Sequence, residues 1–363
     1  MKVPFILWSL AILVVGILQL FVAVDLNISF FISIIFILGG FLLLVKGADF
    51  LVEGASAFAK GFGVSDIVIG LTIVSMGTSA PELVVNVGSS LKGESDFVYG
   101  NVLGSNIFNA LFILGLAGVI YPLKVLKNTG RIEIPISFFI IVVVWLMSND
   151  LIFLSNTGVP NGKDGMLSRF DGLLLMIFFA AFLFYVFRNS KSEPSEGDTI
   201  KKMPIWKTLL LMSLGLCGLI FGGNWVLDGS IAVAKSFDLS ERIIGLTILA
   251  VGTSLPELAT SVVAAMKKNS DIAVGNVVGS NIFNVLGILG LSAVIFPTPF
   301  SSSINFDMYF LMAATALIFG LLFIGTKSQK GFYTLGKLPS LMLILLYVAY
   351  TCFLVLQEVY KNT

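Results

Sequence analysis

The chain has 363 residues, 57% of them hydrophobic and 12% charged, with 22 Lys and Arg against 21 Asp and Glu. Soluble domains carry about 25% charged residues. This composition, with a mean hydropathy of +0.99, therefore describes an integral membrane protein with little left over for a soluble domain. A net charge of +1 argues against nucleic acid as a partner, and the absence of histidine excludes a histidine metal site, a histidine proton relay and a Ser-His-Asp triad.

A spanning helix needs about 20 mostly apolar residues. Eleven segments qualify, at 4–24, 29–58, 67–91, 97–121, 132–148, 170–188, 205–234, 242–266, 272–296, 305–325 and 339–357. The first follows Lys2. Its apolar stretch exceeds the usual signal-peptide core and no clear A-x-A site follows, so a retained helix is favoured over a signal peptide for residues 1–28. The stretch between segments six and seven, residues 189–204, is rich in Lys, Ser, Glu, Pro and Gly and reads as a short flexible connection. Cys217 and Cys352 both lie in apolar runs and read as packing residues rather than as a disulfide.

Sliding the chain by 175 positions pairs Gly47–Pro122 with Gly222–Pro297 without a gap, with roughly half the pairs identical. Residues 29–188 and 205–363 are therefore two copies of a five-helix unit. Because five is odd, the second copy enters the bilayer upside down. The expected fold is an all-α membrane protein, with two inverted-topology five-helix repeats forming a ten-helix core plus one extra N-terminal transmembrane helix. Inverted repeats are a recurrent architecture of secondary transporters, with the substrate site at the midplane where the copies meet. Loop charges agree with this topology. With the N-terminus in the cytoplasm, Lys92, Lys163, Arg169, Lys235, Arg242 and Lys361 fall outside. The other Lys and Arg, apart from Lys46 within a helix, fall inside, as cytoplasmic loops require. The C-terminus is then outside, and a multi-pass protein of the cell membrane, prokaryotic in type, is expected.

Two signatures occur once per copy. The first is G-T-S-x-P-E-L, at Gly77–Leu83 and Gly252–Leu258. Pro81 has no N–H to donate and its ring clashes with the carbonyl four residues earlier, so the helix must kink or break near Gly77, and Pro256 repeats this in the second copy. Inside a bilayer a broken helix is tolerated only where it faces protein or a water-filled cavity. Backbone oxygens near Ser75 and Ala250, the hydroxyls of Thr78, Ser79, Thr253 and Ser254, and the carboxylates of Glu82 and Glu257 gather at these breaks. An ionisable side chain at bilayer depth costs several kcal/mol and marks a functional site. The second signature is G-N-V-x-G-S-N-I-F-N, at Gly100–Asn109 and Gly275–Asn284. Its glycines are packing residues. Ser105, Ser280, Asn106, Asn109, Asn281 and Asn284 supply hydroxyl and amide oxygens, although buried Asn101, Asn106, Asn276 and Asn281 read equally as interhelical hydrogen bonders. The set is all oxygen, with no imidazole or sulfur. It suits a hard cation such as calcium, or sodium of similar size, rather than a soft transition metal. Lys46, Asp49, Glu53 and Asp228 read as interfacial.

The paired motifs resemble those of the sodium/calcium exchangers of the calcium:cation antiporter superfamily, the compact prokaryotic members above all. The resemblance covers nearly the whole chain after about residue 29; the N-terminal segment 4–24 falls outside it. It implies that Glu82 and Glu257 are shared carboxylates for Ca2+ and Na+. Ser79, Ser254, Thr78 and Thr253 would give hydroxyl or carbonyl oxygens, and Ser75 and Ala250 backbone carbonyls. Ser105 and Ser280 would be sodium ligands, with Asn109 and Asn284 completing a central position. Some family members, the potassium-dependent branch among them, place Asp in one copy of that last pair. Here both are Asn, which favours sodium-only exchange. The resemblance also implies that the first helix of each repeat, 30–58 and 205–234, slides over the rest.

The function expected is electrogenic exchange of Na+ for Ca2+ by alternating access, with no cofactor and no obligate protein partner. Two carboxylates leave the empty site at a charge of −2, costly to carry across a low-dielectric barrier, and a bound cation compensates it. The alternative is a proton-coupled calcium antiporter using the same carboxylates. A membrane enzyme lacks any supporting constellation of residues, and a channel would conduct far faster than a carrier.

Overall fold

The computed structural model describes residues 30–149, 165–189, 203–236, 250–323 and 332–361. The N-terminal segment 4–24, most of the 189–204 connection and the first part of the 242–266 segment lie outside them.

The fold opens with a long helix, α1 (Phe30–Phe62), followed by a bent pair, α2 (Asp66–Thr78) and α3 (Ala80–Leu91). Then come α4 (Ser95–Ile120), strand β1 (Leu123–Leu126), α5 (Thr129–Ser148), strand β2 (Gly165–Leu167) and α6 (Arg169–Arg188). The second half repeats the order. It runs α7 (Ile205–Ser236), a short α8 (Ala250–Gly252), α9 (Leu255–Met266), α10 (Ser270–Ile295), β3 (Thr298–Phe300), α11 (Asn305–Phe323), β4 (Phe332–Leu335) and α12 (Lys337–Lys361). Among the described residues eight helices are long and apolar enough to cross a bilayer, and α2 with α3 forms a ninth span bent by 49°.

The α4 and α10 helices form the centre, wrapped by the others. Tyr99, Ile107, Leu111, Ile272, Ile282 and Leu289 on them are essentially inaccessible. The perimeter is apolar in the opposite direction: Ile35, Leu42, Phe170, Phe184, Leu338 and Leu345 point outward, the surface expected where lipid replaces water. Cys217 and Cys352 are free, as the sequence suggests, but they lie on this exposed perimeter, where lipid rather than protein would pack against them.

The first helices of the two halves cross antiparallel along a glycine seam. A Cβ placed on Gly40 would meet the Gly222 carbonyl at 2.7 Å. One on Gly47 would meet the Gly215 carbonyl at 2.8 Å, and one on Gly54 would meet Met212. As the number rises along α1 it falls along α7. The contacts are also mutual, since Gly215, Gly222 and Gly229 are the copies of Gly40, Gly47 and Gly54 at the 175-residue offset. Small residues let membrane helices approach to backbone contact, where dispersion and close packing supply the attraction that water would otherwise drive.

Helix α2 runs alongside α10 in the same direction. Gly70 abuts Gly275 and Asp271, and Leu71 and Ser75 abut Gly279, so a Cβ on Gly279 would lie 2.6 Å from the Leu71 carbonyl. The glycines of the second motif are thus packing residues in this copy.

The described residues are nearly all helical, as expected, with one addition. Two short antiparallel ladders tie the halves together, β1 to β4 with Leu123 opposite Leu335, and β2 to β3 with Gly165 opposite Phe300. Their strands lie at the helix ends, where backbone N–H and C=O groups have no helical partner and pair across the gap instead. Each ladder joins two loops that the charge distribution assigns to the same side of the membrane.

Replacing Gly222 by Ala is expected to destabilise the fold by about 1–3 kcal/mol, because backbone rather than a pliant side chain occupies the space. Gly61→Ala, at a position on α1 with nothing within 4 Å, is expected to be neutral or slightly stabilising. Thermal unfolding of the detergent-solubilised proteins separates the two; equal melting temperatures would contradict the seam.

Candidate cation site

The break between α2 and α3 falls at Ser79, two residues later than Gly77, where the sequence suggests it. Ser79 leaves helical geometry with φ −81° and ψ 11°, and Pro81 sits in the first turn of α3. That is where proline is tolerated, because the first-turn N–H groups have no helical acceptor. Ser254 repeats the turn with φ −91° and ψ 10° ahead of Pro256 in α9. The Ser75 carbonyl, expected to be freed, still accepts the Ser79 N–H at 3.0 Å and lies 3.2 Å from the Thr78 hydroxyl. It meets the site as an oxygen with its second lone pair shared among hydroxyls.

These turns bring the two glutamates together. Glu82 and Glu257 are 1% and 0% exposed and lie within Coulombic reach of each other. Each is held by the opposite half. The Ser254 hydroxyl donates to Glu82 Oε1 at 2.9 Å, and the Ser79 hydroxyl donates to Glu257 Oε1 at 2.7 Å. The second oxygen of each carboxylate is buried without a hydrogen-bond partner. Among the described residues no Lys or Arg pairs with either group.

The other expected residues surround this pair. Ser280 Oγ lies 3.1 Å from Ser79 Oγ, 3.5 Å from Glu257 Oε1 and 3.4 Å from the Ser75 carbonyl, closing one cluster of oxygens. In the mirror position Ser105 Oγ is buried and unpartnered. Thr78 and Thr253 point their hydroxyls at Asn276 Oδ1 (3.1 Å) and Asn101 Oδ1 (3.4 Å), respectively. Asn276 Nδ2 in turn reaches Ser261 Oγ and the Glu257 carbonyl. Ala250 opens the short helix before Ser254, placing its backbone one turn ahead of the break.

Asn109 and Asn284 are 0% and 1% exposed, and each sits in a wide π turn, Phe108–Ile113 and Phe283–Leu289. A π turn carries one extra residue, re-aims the side chains within it and is frequent at functional sites. Asn284 Oδ1 and both amide atoms of Asn109 have no partner. The site is thus a buried cluster in which, among the described residues, one oxygen of each glutamate, the Ser105 hydroxyl and the amide oxygens of Asn109 and Asn284 are left without a partner. An unpaired buried polar group costs about 1–3 kcal/mol, more when charged, and a hard cation is a ligand that carboxylate, hydroxyl and carbonyl oxygens can hold together.

Asn106 and Asn281, left open between ligand and structural roles, prove to be cross-ties. Asn106 Nδ2 donates to the Asn281 carbonyl and Asn281 Nδ2 to the Asn106 carbonyl, at 3.1 and 3.2 Å. Their place in both copies of the motif was legible; their pairing was not.

A centre of this kind, inside a bundle of apolar spans, defines a membrane transporter of cations rather than an enzyme. The family model described as sodium/calcium exchanger protein matches residues 32–188 and 207–356, and the chain belongs to that family. Similar relatives include a putative antiporter CaxA of Alkalimonas amylolytica, 36% identical over 78% of this chain and 88% of its own. Another is the sodium/calcium exchanger MaX1 of Methanosarcina acetivorans, 32% identical over 88% of this chain and 97% of its own. Among solved structures, the sodium-calcium exchanger NCX_Mj soaked with 10 mM Na+ and zero Ca2+ superposes with a TM-score of 0.74. That match is at 28% identity over 88% of this chain and 98% of the other. The protein is a multi-pass membrane antiporter of this family.

Removing the hydroxyl that Glu82 accepts, by Ser254→Ala, is expected to weaken Ca2+ binding by about tenfold, the loss of one hydrogen bond to a charged group. Calorimetric titration of the purified variant checks this; wild-type affinity would show that the crossed serine is dispensable.

Proposed function

We propose that the chain exchanges Na+ for Ca2+ across the cell membrane by alternating access, electrogenically and without K+. The observation that carries this reading is the pair of buried carboxylates, each bound by a serine of the other half and each keeping one oxygen free. Glu82 and Glu257 hold Ca2+ and share Na+. Ser75, Thr78, Ser79 and Ser280 form a sodium position beside Glu257, and Ser105, Ala250, Thr253 and Ser254 form its mirror beside Glu82. Asn109 and Asn284 complete the central position.

Charge gives the mechanism. Empty, the site carries −2 in a low-dielectric surround and resists crossing; one Ca2+ or several Na+ compensate it and permit the change of access. Binding thus gates motion, and because the two ions use the same carboxylates they compete and exchange. When more than two Na+ occupy the sodium and central positions, their return for one Ca2+ moves net charge. Neutral Asn at both central positions keeps the fixed charge at −2, which supports a K+-independent cycle.

Residues 29–188 and 205–363 act as inverted repeats joined by the 189–204 connection. The antiparallel crossing of α1 with α7 supports that reading, and the glycine seam lets the two move as one unit against the remaining helices. The N-terminus and connection are cytoplasmic and the C-terminus external, as the Lys and Arg distribution supports.

In proteoliposomes a sodium gradient is expected to drive radiolabelled calcium uptake, unchanged by added K+ and not replaced by a pH gradient. Uptake driven by pH alone would instead make the same glutamates proton carriers. Glu82→Gln or Glu257→Gln is expected to abolish exchange, since one carboxylate leaves a divalent ion half compensated; wild-type uptake by either variant contradicts the site. Asn109→Asp or Asn284→Asp is expected to shift the balance between Na+ and Ca2+ while the protein still elutes as a folded species, and an unchanged selectivity profile would remove the central position from the model.

A further inference from the structure

The two copies of G-N-V-x-G-S-N-I-F-N are alike in sequence around the centre, yet their asparagines are not bonded alike. Asn106 and Asn281 each donate an amide to the other's backbone carbonyl. There the symmetry stops. A backbone carbonyl only accepts, so this bond fixes which end of the Asn106 amide is nitrogen and which is oxygen. Asn106 Oδ1 then accepts from Asn284 Nδ2 at 3.0 Å. With its nitrogen committed, Asn284 turns its oxygen away from Asn106, and that oxygen is buried and unpartnered. In the other copy Asn281 Oδ1 has no partner, and Asn109 has neither amide atom bonded.

We propose that Asn106 is a positioning residue for the central site: it holds the Asn284 amide so that the oxygen, not the NH2 group, meets the transported cation. The proposal rests on the reading of Asn284 as a cation ligand. A cation is attracted by the amide oxygen and repelled by the amide hydrogens, so an amide free to flip must be reoriented on binding. Partners behind the ligands that fix such orientations are worth about 10–100-fold in metal affinity. Asn284 is oriented in advance by Asn106, whereas Asn109 must be oriented by the ion itself. The two central amides, identical in sequence, contribute unequally.

The pairing of Asn106 with Asn281 supplies its own control. Asn106→Leu and Asn281→Leu each delete one cross-tie, but only the first releases Asn284. Calcium titration of the purified full-length proteins is expected to show about a tenfold loss of affinity for Asn106→Leu and a smaller loss for Asn281→Leu. In exchange assays the same loss appears as a higher calcium concentration for half-maximal uptake, with the maximal rate less affected. In an Asn284→Ala background, Asn106→Leu is expected to cost nothing further, whereas Asn281→Leu adds its own cost, since only the first acts through Asn284. Equal losses from the two leucine variants overturn the proposal. So does an Asn106→Leu loss that persists undiminished in the Asn284→Ala background, or calcium binding by Asn284→Ala that matches wild type. If a leucine variant does not fold, the alanine pair at the same positions makes the same comparison. A wild type that binds calcium yet shows no sodium-driven uptake would overturn the exchange reading and leave this comparison intact.

Discussion

The structure depends on the crossed bonds between carboxylate and serine, Ser254 to Glu82 and Ser79 to Glu257. Each glutamate takes its shortest hydrogen bond from a serine of the opposite half, so neither half holds the site alone. In water such a dependence would be mild, because solvent would take the missing partner's place. In the middle of a bundle whose outer face is apolar, the alternative to the crossed bond is a buried charge without a donor, which costs several kcal/mol. Docking of the halves therefore creates the site, and the site in turn favours docking. The serines reach only one oxygen of each carboxylate, and among the described residues the other oxygen has no partner. That deficit is what leaves the proposed site with oxygens to offer a cation: a fully satisfied pair of acids would be a structural feature with nothing left to give.

The backbone departs from regular helix where the site demands it. Proline in the first turn of α3 and of α9 forces Ser79 and Ser254 out of helical geometry, and that turn aims each serine across the midline. The π turns at Phe108–Ile113 and Phe283–Leu289 re-aim Asn109 and Asn284 within helices that otherwise run straight through the core. Away from the centre, regularity returns. The seam between α1 and α7 is set by glycines seven residues apart, which keep recurring on one face because seven residues nearly complete two helical turns.

Much of this was legible in the sequence because it is written twice. The 175-residue offset exposed the repeat, and the repeat placed Glu82 and Glu257 in equivalent positions without any structural knowledge. Helix boundaries followed from hydropathy, since a spanning helix has a length fixed by the bilayer. What escaped has a physical reason in each case. The β1–β4 and β2–β3 ladders join segments far apart in the chain, and strands this short carry no alternation to detect. The π turns lie inside segments apolar on every side, where periodicity holds no information about turn width. The perimeter position of Cys217 and Cys352 was not legible because in a membrane an apolar run faces lipid as readily as core. The inequality of Asn106 and Asn281 could not be read at all: identical motifs encode identical options, and packing chooses between them.

Some departures from symmetry, by contrast, are encoded. Lys267 pairs with the Asp49 carboxylate and donates to the Asp49 carbonyl, clasping α1 to the turn between α9 and α10. Beside this clasp, Asn269 Nδ2 reaches Asp66 Oδ2 at 2.6 Å and Ser56 Oγ at 3.1 Å. At the 175-residue offset the matching residues are Lys92 with Asn224, and Glu94 with Glu241 and Ile231. An amide in place of Asp49 cannot form the ion pair, and acid against acid repels where Asn269 and Asp66 attract. The residues at the offset positions therefore cannot repeat this clasp. Here the sequence itself makes the ends unequal: Asp49, Ser56 and Lys267 meet no like set at the 175-residue offset, while Thr78, Ser79 and Glu82 at the centre return as Thr253, Ser254 and Glu257.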